Sequence, residues 1–154
     1  MKYSIILIIL SFILTITNSL NAQSEQDQVR DVIDRLFDGM RAGDSTMVRR
    51  VMHNEALMAR VGDRGLRIET PDRFVEAVGT PHERVWDEKI WNVQISIDEK
   101  LASAWMEFAF FLGDKMLHCG VNSMQLYQTE DGWKIIYLAD TNRSPTCNPP
   151  DSQP

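Results

Sequence analysis

The feature that most narrows the possible folds is a change of hydrophobic period near Gly79-Thr80-Pro81. Ahead of it apolar residues recur every three or four positions; beyond it they alternate. Val29, Ile33, Leu36, Phe37 and Met40 mark one face of an amphipathic helix from Glu25 to about Ala42, ended by Gly43. Asp44-Ser45 can cap a short second helix bearing Met47, Val48, Val51 and Met52, which breaks at His53-Asn54. Short strands are expected near Ala56–Val61 and Leu66–Glu69. Thr70-Pro71-Asp72 then opens a third helix through Val78, with proline where a missing N–H costs little.

After Pro81 the alternation predicts three long strands, about Val85–Ile97, Ala102–Leu112 and Met116–Gln128, and a fourth at Trp133–Asp140. Gly113-Asp114 and Asp131-Gly132 carry turn chemistry, so successive strands should form antiparallel hairpins. Helices first and a strand meander last give an α+β architecture, with the helices packed on one side of a curved antiparallel sheet.

The flanks differ from this domain. Lys2, an apolar run from Tyr3 to Ile16 and the ending Ser19-Leu20-Asn21-Ala22 have the order of a cleavable signal peptide over residues 1–22, cut after Ala22. The alternative, a membrane anchor, has too short an apolar core and no basic cluster after it. These features predict a secreted or periplasmic domain over residues 23–141, with no stable membrane insertion after cleavage. A Pro-rich tail occupies 142–154. Cys119 and Cys147 either pair, tying that tail down, or remain a buried apolar residue and a free thiol; the sequence leaves both open. Two cysteines this far apart exclude a Cys-type zinc centre, and no metal is expected.

The chain carries a formal charge of −6, more negative still once Lys2 is removed, which argues against a phosphate-backbone partner; no nucleic acid is expected. There is no phosphate loop, nucleophile elbow, paired-His helix or dinucleotide fingerprint, and no cofactor is implied. His53-Asn54-Glu55 lacks the downstream cysteine pair of a deaminase.

The helix, Gly-Asp and short-helix order, followed by His118-Cys-Gly-Val-Asn-Ser-Met-Gln-Leu126, Asp131-Gly-Trp-Lys-Ile135 and Leu138-Ala-Asp-Thr141, resembles the nuclear-transport-factor-2-like superfamily. That superfamily includes SnoaL-like polyketide cyclases and ketosteroid isomerases. The resemblance implies a cone-shaped half-barrel closed by the first helix, with a mostly apolar internal pocket. It also implies frequent homodimers through the sheet face, for which Phe108 and Phe110 would supply apolar area. Its members serve unrelated purposes, so the site has to be argued from side chains.

A two-residue Gly113-Asp114 turn would set Trp105, Glu107 and Ala109 opposite Asn122, Gly120 and His118, all on one face. Glu107 and His118 then become diagonal neighbours capable of acid–base work. Asp140 falls opposite Ser123 if the Asp131-Gly132 turn has two residues, and opposite Asn122 on the His118 face if it has three; we favour the second. Trp105, Asn122 and Trp86 are expected at the ligand pocket. His53 would lie near the cone's mouth on the resemblance, and at a helix end on its own sequence context. Three functions fit: an exported binding domain for a small apolar or aromatic molecule, an isomerase, dehydratase or cyclase using His118 with Glu107 or Asp140, and a homodimerising structural module.

Overall fold

The computed structural model describes residues 24–63, 65–143, 147, 149 and 150. The proposed signal segment lies outside the described residues. Helix α1 covers residues 24–42, followed by α2 (Ser45–Val51), β1 (Met52–Gly62), β2 (Gly65–Glu69) and α3 (Asp72–Gly79). Strands β3 (Trp86–Asp98), β4 (Leu101–Leu112), β5 (Lys115–Thr129) and β6 (Gly132–Thr141) complete the domain. Among the described residues no helix is long and apolar enough to cross a membrane.

Local chemistry explains where the helices break. Gly43 adopts φ +66°, a conformation that favours glycine, and its N–H and that of Asp44 return to the carbonyls of Met40 and Gly39. Asp44 then starts α2 by accepting from Met47 N at 2.9 Å, a side-chain cap for an otherwise orphaned donor. At the far end of α2, Lys134 Nζ donates to the Arg50 carbonyl.

The six strands run in the order β2-β1-β6-β5-β4-β3. Strands β3 to β6 form the expected antiparallel meander, but β1 lies parallel to β6, so the sheet is mixed rather than wholly antiparallel. This pairing joins segments some eighty residues apart, and nothing in local periodicity marks it. The sheet is open, with the helices against its concave face. Ile33 and Leu36 of α1 and Val48 of α2 are fully or almost fully buried against Met106, Met124, Leu126 and Ile135. Burial of this apolar surface, at about 25 cal/mol per Å², is the main force holding helices to sheet.

The sheet's register shifts four times, between Met52 and Leu57 on β1 and at single-residue β-bulges at Ile136 on β6, at Leu117 on β5 and beside Asn92 on β3. Asn92 takes φ +51° there. Each bulge also reverses which side chains face the core, because side-chain direction in a strand has period two.

Candidate functional site

The Leu117 bulge decides the composition of the site. The Gly113-Asp114 turn is present, with Leu112 opposite Lys115 and Phe111 opposite Met116. Leu117 is then the extra residue, and Phe110 pairs with His118, Phe108 with Gly120 and Met106 with Asn122. Glu107 and Trp105 fall opposite Val121 and Ser123 instead. The expected face shared by Glu107, Trp105, His118 and Asn122 is therefore divided. His118 and Asn122 point into the cone; Glu107 and Trp105 point out of it. Glu107 accepts from Asn92 Nδ2 at 2.8 Å on the outer surface, and Trp105 is 52% exposed. The expected Glu107–His118 pair does not form, and Trp105 does not line the interior. Phe108 and Phe110 are likewise corrected: they face inward, Phe108 being 1% exposed, and cannot form an outer dimer face.

Asp140 stands opposite Asn122 on the inner face. The route differs from the expected three-residue turn. The hairpin closes one position earlier, with Thr129 opposite Gly132, and the Ile136 bulge supplies the compensating shift. His53 lies at the start of β1, its Nδ1 accepting from Glu55 N at 3.2 Å, at the other end of the strand from Arg60.

What gathers at the mouth is a polar group that the sequence reading only partly names. Arg60 of β1 is the parallel-register partner of Asp140 and grips its carboxylate with Nε and Nη2 at 3.0–3.2 Å. This pairing holds the Arg60 guanidinium above its ordinary pKa. From β3, Glu88 Oε1 accepts a 2.7 Å hydrogen bond from Asn122 Nδ2. Asn122 itself is 2% exposed. Enclosure of the Glu88 carboxyl pushes its pKa up to about 7; the Asn122 bond opposes this only in part, and nearby Asp140 adds to it. His118 moves the other way: burial, then the Arg60 charge, lower its pKa, with Asp140 partly opposing.

Aromatic rings border this group. His82 stacks on Trp86 with centroids 4.1 Å apart, Trp86 meets Phe110 edge-on at 6.1 Å, and His118 lies 5.2 Å from Phe110 and 5.8 Å from Phe108. Gly120 sits between His118 and Asn122 on β5, where a side chain would collide with the Thr141 carbonyl and the Phe108 ring. The absent side chain lets β6 and Phe108 close over the strand. A carboxyl titrating near neutrality, a carboxamide, an ion pair and a half-buried imidazole, framed by flat rings, can bind a planar molecule by its faces and its polar edge. Among the described residues no three His, Cys, Asp or Glu side chains are grouped to hold a metal ion.

Glu88 escapes notice in the sequence because it stands between Asp87 and Lys89, and Arg60 because its partner strand lies some eighty residues away. A signal was present for Glu88: Trp86, Glu88 and Ile90 alternate on one side of the strand, placing a carboxyl on an apolar face.

The family described as "Putative lumazine-binding" matches residues 24–138. The chain belongs to this family. Its fold is that of the nuclear-transport-factor-2-like proteins, as solved structures with low sequence identity show. A cystatin-like-fold member from Novosphingobium aromaticivorans superposes with a TM-score of 0.71 at 11% identity, covering 85% of this chain and 90% of that one. A superfamily protein from Salmonella enterica gives 0.64 at 15% identity, over 82% and 96% of the two chains. A protein described as a "putative dehydratase", from Streptomyces avermitilis, gives 0.61 at 13% identity, over 79% and 97%. No curated protein matches the chain. The family match ends at Leu138, so it spans β1 through most of β6 and includes every strand that builds the mouth, with Asp140 just beyond it.

Proposed function

We propose that this lumazine-binding-family domain is an exported receptor for a small planar heteroaromatic molecule, held at the mouth of the cone. The observation that carries the reading is the Glu88–Asn122 hydrogen bond set among aromatic rings. With its pKa near 7 the Glu88 carboxyl can donate or accept, and Asn122 keeps its carboxamide oxygen free of that bond. Such a pair complements an edge of alternating N–H and C=O groups, as in pteridine-dione or uracil-type rings. The family's description points to the same ligand class.

Lumazine itself is the probe. Calorimetric titration should give saturable one-site binding, with Asn122→Ala weakening it by at least about tenfold, since one lost hydrogen bond to a polar ligand is worth roughly 1.5 kcal/mol. Trp105→Ala should leave it unchanged. No heat with lumazine or with uracil-type rings would sink the proposal.

Two features favour further readings. A carboxyl of near-neutral pKa is suited to general acid–base chemistry, which makes Glu88, rather than a Glu107–His118 pair, the group an isomerase or dehydratase would use. On the outer face Leu57, Val61, Leu66, Ile68 and Trp105 are exposed, an apolar surface that a second copy could cover in place of the expected Phe108 and Phe110.

A further inference from the structure

Strand β3 ends the sheet, so its outer edge carries backbone groups that no neighbouring strand pairs. An edge thirteen residues long invites pairing with another chain unless something covers it, and α1 reaches it at only two places, where Gln26 donates to the Ile95 carbonyl at 3.3 Å and Arg41 to Asp87 at 2.7 Å among the described contacts. Between this edge and α1 runs a groove of about 830 Å³. Phe37 and Arg41 line it from the helix, Glu88 and Trp91 from the strand, and Pro149 and Pro150 from the C-terminal segment.

Three points on the molecule mark how that segment arrives. Arg143 continues the β6 register onto β5, exchanging backbone hydrogen bonds with Cys119 at 2.9 and 3.4 Å. Cys147 joins Cys119, with Cα atoms 6.4 Å apart, inside the span of a disulfide. Pro149 and Pro150 then lie at the β3 edge. Cys119, Ala109 and Lys89 stand side by side across β5, β4 and β3 on the outer face, between the disulfide and the β3 edge. Ala109 is fully buried there, although other outward residues of the same strand, such as Trp105, are open. Proline suits the role, because it has no N–H with which to extend a sheet and its fixed φ lowers the entropy lost on docking.

We propose that the groove between α1 and the β3 edge is a docking site for the chain's own Pro149-Pro150 segment. The Cys119–Cys147 bond holds that segment in place, so the redox state of the bond sets whether the edge and the Glu88 side of the mouth are covered. Release needs a dithiol reductant. Its thiolate attacks the sulfur of Cys147, a half-buried residue, the protein S–S bond breaks to give two thiols, and the reductant ends as a disulfide, having supplied two electrons and two protons. The consequence for ligand entry rests on the mouth being the binding site; the docking itself does not, and it is measured without ligand.

Hydrogen exchange followed by mass spectrometry on the full chain tests it, comparing the oxidised protein, the protein in dithiothreitol, and Cys147→Ser. Loss of the bond should speed exchange about tenfold in peptides covering Asp87–Trp91, while the β5–β6 hairpin from Met124 to Ile135 keeps its protection. The double variant Pro149→Ser, Pro150→Ser, with the bond intact, should produce the same local change. Unchanged exchange at β3 would overturn the proposal. So would acceleration spread evenly over the sheet, which would make the bond a general staple.

Discussion

Gly120→Ala should destabilise the domain by about 3 kcal/mol or prevent folding, near the upper end of what overpacking a core costs. The added methyl group would meet the Thr141 carbonyl, the Thr141 hydroxyl and the edge of Phe108 at once. Backbone on one side and a buried ring on the other leave little room to yield. The Thr141 hydroxyl is itself engaged, accepting from Val121 N at 2.9 Å, so moving it breaks the join of β6 to β5. Gly62→Ala is the control: its methyl group would find only Asn142 Cβ at 3.9 Å, and a change within about 0.5 kcal/mol is expected. Denaturant unfolding of the three proteins measures this. Equal stabilities would mean that β6 does not close over β5 as described.

The second large effect is a dependence of stability on pH that belongs to Glu88. Its folded-state pKa of about 7 lies above the ordinary 4.5, so between these values the folded protein binds more protons than the unfolded chain. The stabilisation is fully present below pH 4.5 and is lost as pH rises through 7. His118 has the opposite sign: its pKa is lowered from 6.5, so its contribution is present above that value and is lost as pH falls. Wild type alone would blur the two. Comparison with Glu88→Gln removes the His118 contribution from the difference while keeping an acceptor for Asn122. Glu88→Gln should gain about 2–3 kcal/mol on wild type between pH 4.5 and 8, most of it between pH 5 and 7. A constant difference across that range would place the Glu88 carboxyl in water.

The helices and the meander could be read from the chain because each is a local pattern. Val29, Ile33 and Leu36 repeat at helical spacing, and a strand alternates wherever its face is half-buried. The site could be read only in part, because it depends on where alternation fails. The alternation through Met116-Leu117-His118-Cys119 gives no sign that Leu117 is the one left over. One inserted residue then carries Glu107 and Trp105 to the far side from His118 and Asn122. At Asp140 an earlier turn and a bulge at Ile136 offset each other, and its side chain reaches the expected face. Arg60 depends on the parallel β1–β6 pairing, which is set by packing over long sequence separation. Glu88 is a different case. It stands beside Asp87 and Lys89, where three charged residues in succession suggest a solvated strand end, and only its alternation with Trp86 and Ile90 shows which way it faces.

The division of the sheet into a binding face and an outer face is the central claim, and the four tryptophan side chains report on it directly. Two-dimensional proton–nitrogen spectra recorded during a lumazine titration resolve their indole N–H signals. A progressive shift is expected at Trp86, beside Phe110 and the Glu88–Asn122 pair, together with the Asn122 side-chain amide, while Trp105 stays fixed. A shift at Trp105 with Trp86 unmoved would put the ligand on the outer face and contradict it.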